Sequence, residues 1–246
     1  VERNFKLTIA YDGTAYYGWQ KQPDKVTVQG AIEKVLGRVI GREVATKGAG
    51  RTDRGVHAWA QVANFKAETD LSTADIYRAL NALLPEDIRI RKIEEVSLSF
   101  DARRDAISRT YYYFLHVGKL LMPFDRLYKV LVNKHLSIDK MRRAAGLLLG
   151  KHDFTAFSGG GSSRKYPFCT VYAAGVNREA DEVSFFIEAD TFLYHMVRNI
   201  VSKLVDVGTG KISVDDFAQI LESKDRTKGN APFPAKGLFL WKVKYK

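Results

Sequence analysis

The chain has 246 residues, of which 46% are hydrophobic and 27% charged, with 19 Gly and 6 Pro. That composition excludes a disordered or collagen-like chain and suits one large globular domain or two small ones. Lysine and arginine number 39 against 28 aspartate and glutamate, a formal charge of +11; this puts a polyanion first among partner classes, with a merely solvated basic surface as the bland alternative.

The predicted elements begin with a strand, in which Leu7, Ile9 and Tyr11 alternate with Lys6, Thr8 and Ala10 up to the break at Asp12-Gly13. From Thr27, the residues Ala31, Ile32, Val35, Leu36, Val39 and Ile40 recur at helical spacing. Residues 44–46 and 59–65 read as strands around a glycine-rich turn. Ser72 with Asp75 forms a capping-box pattern, opening a helix with Ile76, Leu80, Leu83 and Leu84 on one face, and Pro85 stops it. Residues 88–96 complete a β-α-β-β-α-β order. The second half repeats that order: a strand over 107–117, a helix over 137–149, strands over 170–177 and 182–189, and a helix from about 193 to 207. A short capped helix from Ser213 and a strand over 238–245 end the chain. The fold class expected is α+β, two ferredoxin-like split βαβ halves with mainly antiparallel sheets. Sheets of this kind carry helices on one face, and a basic catalytic cleft between the halves is the expected place for a large polyanion. Two long irregular stretches, 119–134 and 151–165, interrupt the second half; the latter ends in a glycine-rich basic loop with Arg164 and Lys165.

Cys169 is the one cysteine, so neither an internal disulfide, a CxxC pair nor a thiolate cluster is available, and a cytoplasmic location is expected. The residues after Val1 lack the apolar stretch of a signal peptide, and no run of about 18 apolar residues is present, so no membrane contact is expected. Cofactor signatures also fail. Gly48-Ala49-Gly50-Arg51-Thr52-Asp53 has Asp where a dinucleotide loop needs its third glycine, and Gly146 to His152 lacks the spacing and hydroxyl of a P-loop. The five histidines show no HExxH-like spacing and no Gly-x-Ser-x-Gly elbow occurs. No cofactor and no metal are expected.

What remains is Gly48-Ala49-Gly50-Arg51-Thr52-Asp53-Arg54-Gly55-Val56-His57-Ala58, small residues crowded around one carboxylate. On residue type alone Asp53 reads first as a turn residue bonding its own backbone. The flanking Arg51 and Arg54 favour its ionised form, and the turn is more elaborate than a hairpin needs.

This turn resembles the GRTDxGVHA motif of the bacterial tRNA pseudouridine synthase A family. Further segments are similar to that family's motifs in the same order: Tyr11-Asp12-Gly13-Thr14 with Gly18-Trp19-Gln20 and Val28-Gln29, Leu80-Asn81, and Leu84-Pro85-Glu86-Asp87-Ile88. They continue with Phe100-Asp101-Ala102-Arg103, Arg109-Thr110-Tyr111-Tyr112-Tyr113, His152-Asp153-Phe154, Phe192 to Val201 and Gly237-Leu238. The family pattern carries His where Asp101 stands and often Gly where Ser202 stands; both lie outside the catalytic turn. Residues 1–104 are expected to form an amino-terminal subdomain with the Asp turn, and residues 105–246 a carboxy-terminal one with the RxYxY and MVRN motifs.

The resemblance implies an isomerase that converts uridine to pseudouridine at positions 38 to 40 of the tRNA anticodon stem-loop, works as a homodimer, and uses Asp53, Tyr111 and Arg198 as catalytic residues. A carboxylate can attack the sugar or the base, or take a proton from C2′, and Asp53 stays open to all three routes. Arg198 falls about 20° beyond the apolar half of its predicted helix, where a guanidinium can hold Asp53 or simply snorkel. Tyr111 reads as a core aromatic by strand position and, by resemblance, as the ring that stacks on the target base. Arg51 is similar to the family's arginine that assists base extrusion. Arg54, Arg103, Arg104, Arg109, Arg164 and Lys165 are expected on RNA phosphates, and His57 is either a substrate contact or a turn histidine on the backbone. Trp19, Trp59 and Trp241 read as packing residues. A non-catalytic RNA-binding module and a synthase of the same fold with another RNA target are the alternatives.

Overall fold

A computed structural model describes residues 1–160, 166–229 and 231–246. The chain divides into two compact units: Val1–Ile107 with Phe239–Lys246, and Ser108–Leu238.

In the first unit the alternation in β1 (Glu2–Tyr11) buries Phe5, Leu7, Ile9 and Tyr11. The helix α1 (Val28–Ile40) starts where the Thr27 hydroxyl accepts from Gly30 N–H, and ends at Gly41. A short β2 (Thr46–Gly48) precedes β3 (His57–Glu68). The Ser72–Asp75 capping box opens α2 (Thr73–Leu83) as expected; the Ser72 hydroxyl, then the Arg78 guanidinium, hold the Asp75 carboxyl below its usual range. After Pro85 comes β4 (Ile88–Val96). Both β4 and β3 pair antiparallel with β1, and β2 pairs with β3, which is the strand order of a split βαβ unit. Phe5 stands opposite Phe65 with ring centroids 5.1 Å apart. The strand predicted at 44–46 lies two residues later. Val44 is buried without pairing, and the ladder begins only at Thr46 opposite Phe65.

In the second unit β5 (Ser108–Val117) pairs antiparallel with β9 (Glu182–Ala189), β9 with β8 (Phe168–Glu179), and β8 with β7 (Gly150–Asp153). Three helices accompany this sheet: α3 (Ile138–Gly146), which packs on β8 and on α4 (Met196–Gly208), and the capped α5 (Val214–Ser223). The order β5-β9-β8 repeats β1-β3-β2 of the first unit. The long irregular stretches are shorter than the sequence suggests. Within 119–134, β6 (Val130–Val132) pairs parallel with β5. Within 151–165, β7 is followed by a 3-10 turn, and Phe154, Ala156 and Phe157 are core residues rather than a linker. The loop's Arg164 and Lys165 lie outside the described residues. Two helix ends also differ. α3 stops at Gly146, three residues early, and α4 starts at Met196 because His195 adopts a left-handed φ of 58° that cannot continue a helix backwards.

The last strand, β10 (Leu238–Lys244), runs parallel to β3, with Phe239 opposite His57 and Leu240 opposite Ala58. Its residues from Phe239 onward belong to the first unit. Among the described residues no helix is long and apolar enough to cross a membrane.

Candidate active site

The glycine-rich turn of the first unit leads into β3 and is tied down on both sides. Ala49 N–H donates to Val62 C=O at 2.7 Å, and the buried Gln61 amide donates to Gly50 C=O at 2.9 Å. Val56 N–H closes the tip onto Asp53 C=O at 3.1 Å. Asp53, half-buried, therefore sits at the head of a tight turn whose base is part of the sheet.

A second segment, residues 11–20, clamps this turn from outside. Trp19 N–H donates to Thr52 C=O at 3.1 Å, Gly55 N–H to Tyr16 C=O at 3.4 Å, and the Tyr11 and Thr52 hydroxyls share a buried hydrogen bond of 2.8 Å. Two glycines make the approach possible. A Cβ on Gly13 would stand 2.0 Å from the Val56 carbonyl oxygen; one on Gly18, whose φ is +84°, would stand 2.5 Å from that of Thr52. The clamp is itself anchored, since Asp12 N–H donates to Asp87 C=O at 2.9 Å and the Tyr16 hydroxyl to the Asp87 carboxylate at 2.6 Å. Burial, then that hydrogen bond, push the Tyr16 hydroxyl well above its ordinary range and keep it a donor. Segments separate in sequence, 11–20, 48–58 and 84–88, thus form one backbone cluster around Asp53.

The two arginines beside Asp53 are held by the clamp. Arg51 Nε donates to the Gln20 side-chain oxygen at 3.2 Å, and the Arg54 guanidinium lies 4.3 Å from the Tyr17 ring centroid. His57 is built into the support of the turn. Its side chain is fully buried, its ring stacks on Phe239 at 4.6 Å, and Nδ1 accepts from Gly13 N–H at 3.0 Å with Asp12 Oδ1 at 3.1 Å. A ring with no exposed surface has no face for substrate; it supports the turn instead. Trp19 is buried as expected, whereas Trp59 is 48% exposed, stacked on Trp241 and under the Arg91 guanidinium.

Where the family pattern has His, Asp101 does structural work of its own. Its carboxylate accepts Arg103 N–H and Arg104 N–H at 3.0 Å each and pairs with Lys47 at 3.3 Å. The Arg104 backbone bond leads the causes that keep its carboxyl below the usual aspartate range. Arg104 turns its guanidinium onto Asp105 at 3.0 Å and Ser99 C=O at 2.7 Å, which occupies part of its donors.

In the second unit, Tyr111 lies on β5 opposite Ile187, only 9% exposed, with Phe192 edge-on at 5.0 Å. Two residues on, Tyr113 is fully buried and donates to Pro234 C=O at 2.5 Å; burial raises its hydroxyl far above the ordinary range. Arg109 Nη1 donates to Asp190 C=O at 2.8 Å. Arg198, in the first turn of α4, is fixed by Nε donating to Phe233 C=O at 2.7 Å, with Phe233 N–H returning to Arg198 C=O at 3.3 Å. One edge of the guanidinium is thus fastened to backbone, which sets the direction of the other. In the RxYxY and MVRN segments, Arg109 and Arg198 are half-buried, each with its guanidinium on a backbone carbonyl.

The family described as tRNA pseudouridine synthase matches this chain over residues 7–105 and 144–246. Curated relatives named tRNA pseudouridine synthase A are similar along the whole length. The one from Thermoanaerobacter sp. (strain X514) is 44% identical over 243 residues, covering 99% of this chain and 100% of its own. That of Clostridium acetobutylicum is 43% identical, again over 99% and 100%. Among solved structures, a chain of an archaeal box H/ACA ribonucleoprotein complex matches at 13% identity with a TM-score of 0.35, covering 94% of this chain and 58% of that one; a likeness of that size carries no argument. With the relatives matched end to end and the Asp turn built as described, the chain belongs to the tRNA pseudouridine synthase family.

Proposed function

We propose that this chain isomerises uridine to pseudouridine at positions 38 to 40 of the tRNA anticodon stem-loop, with Asp53 as nucleophile. The observation that carries the reading is the Asp53 turn, whose backbone is bonded from a separate segment and whose carboxylate is flanked in sequence by two arginines that the same segment holds. A protein that only binds RNA gains nothing from a carboxylate there, because it repels phosphate.

The reaction is balanced without a co-reactant. The C1′–N1 bond breaks, C1′ bonds to C5, the C5 proton leaves and N1 gains a proton. Asp53 forms the transient covalent bond and releases it. Arg51 assists extrusion of the nucleotide, at an unstacking cost of a few kcal/mol. Tyr111 stacks on the freed base and its hydroxyl helps remove the C5 proton, and Arg198 is the third catalytic residue that the family resemblance supplies. Arg54, Arg103 and Arg109 add phosphate contacts, and the +11 charge makes affinity fall as salt rises. The enzyme acts as a homodimer in the cytoplasm, a part of the proposal supported by the family resemblance and read by sedimentation of the purified protein.

Tyr111 provides the test of the division between binding and chemistry. Tyr111→Phe keeps the ring and should bind tRNA normally while turning over about 10²-fold more slowly, the scale of one acid–base contribution. Tyr111→Leu should in addition weaken binding about tenfold, as expected when a base loses its stacking partner. Tritium release from tRNA labelled at uridine C5 measures both variants; a Phe variant as fast as the parent removes the hydroxyl from the mechanism.

A further inference from the structure

Two cations share one aromatic ring beside the catalytic turn. The Tyr17 ring, 38% exposed, has the Arg54 guanidinium 4.3 Å and the Lys25 ammonium 4.7 Å from its centroid. Backbone bonds fix all three. Tyr17 N–H donates to Val26 C=O at 2.8 Å and Val28 N–H to Gly18 C=O at 3.2 Å, closing a loop that returns Lys25 to Tyr17. Trp19 N–H on Thr52 C=O holds the loop against the turn that carries Arg54.

Among the described residues neither Lys25 nor Arg54 has a carboxylate partner, in contrast to Lys21 on the same loop, which pairs with Glu33 at 3.4 Å. Two like charges held within 5 Å of one ring centroid lie within roughly a Debye length of each other and repel. The ring's negative faces offset part of that repulsion. An anion placed against both cations would reverse its sign, and the ring leaves them exposed to receive one.

We propose that Lys25, Tyr17 and Arg54 form a phosphate clamp that grips the RNA backbone next to the nucleotide entering the Asp53 turn. The ligand class is a phosphodiester of the substrate strand. Tyr17 is a positioning residue, since it acts by holding the two cations together. The inference rests on the proposed function for the identity of the RNA, but not for the chemistry of the site.

The test is the salt dependence of binding to unmodified tRNA and to an isolated anticodon stem-loop, for the parent and for Lys25→Gln, Arg54→Gln, the double variant and Tyr17→Leu, each checked for folding by thermal melting. Each lost phosphate contact should lower the slope of log affinity against log salt by ~0.7, which at 0.15 M weakens binding about 4-fold for one cation and about 15-fold for two. Tyr17→Leu should weaken binding at unchanged net charge, while Tyr17→Phe should restore it, a pattern that loss of charge alone does not produce. The same losses are expected on the stem-loop. An unchanged slope in the double variant, or losses seen with whole tRNA and absent with the stem-loop, would overturn the clamp. If the parent forms no pseudouridine but the binding slopes change as stated, the proposed reaction fails and the clamp stands.

Discussion

Asp53→Asn is expected to lower the single-turnover rate of pseudouridine formation by roughly 10⁴-fold or more, the scale on which removal of a nucleophile acts, with tRNA affinity within about threefold of the parent. Asparagine has the size of aspartate, and the hydrogen bond that closes the turn uses the Asp53 backbone carbonyl, which the substitution leaves alone. The protein should therefore fold and bind. What it lacks is a carboxylate oxygen able to attack carbon, and an amide does not replace it. Removing a negative charge from between Arg51 and Arg54 should, if anything, tighten binding of a polyanion slightly. Quenched-flow measurement of tritium release, with filter binding in parallel, separates the two effects. A variant that keeps a tenth of the parent rate would mean that another group does the chemistry.

Gly13→Ala is expected to cost the protein about 3 kcal/mol of stability and to lower kcat/KM roughly 10²-fold in the molecules that fold. The new methyl would lie 2.0 Å from the Val56 carbonyl oxygen, and neither side of that contact is a flexible side chain. Segment 11–20 must then move away from the turn, loosening the Gly13 N–H to His57 bond at 3.0 Å and the Tyr11–Thr52 hydroxyl pair at 2.8 Å. Asp53 is four residues from His57 and one from Thr52, so the shift reaches the carboxylate directly. A melting temperature about 6–12 °C lower is the corresponding thermal signature for a chain of this size. Gly50→Ala is the control for stability, since its Cβ meets nothing within 4 Å. Parent-like melting and kinetics for Gly13→Ala would show that the clamp does not position Asp53.

Much of the fold is legible wherever a local pattern decides it. The alternation in β1 and the capping residues Thr27 and Ser72 mark their elements because each is a short-range effect. The short strands β6 and β7 are invisible in sequence, since three or four residues become a strand only when a partner pairs with them. The start of α4 is displaced by the left-handed backbone at His195, a conformation that histidine adopts more readily than most residues but still uncommonly. Likewise, the pairing of Phe239 with His57 brings the last strand back to β3, and no periodicity encodes it.

The candidate site divides in the same way. Asp53 stands out because glycines and arginines crowd one carboxylate. Many of its supports do not stand out, because they act through backbone groups: Trp19 N–H, Gly55 N–H, Tyr16 C=O and Gly13 N–H. Only the glycines betray them, and a glycine alone does not say which carbonyl it must approach. His57 illustrates the limit. Its place in the motif leaves substrate contact and turn support equally open, and only its burial against Phe239, a residue far away in sequence, shows the support.

The most direct measurement incubates the purified protein with unmodified tRNA, without added cofactor, and maps pseudouridine by carbodiimide-dependent stops in primer extension. New stops confined to uridines at positions 38 to 40, and absent with Asp53→Asn, are expected. An RNA without any new stop, or one with stops only outside the anticodon stem-loop, would contradict the function proposed for this chain.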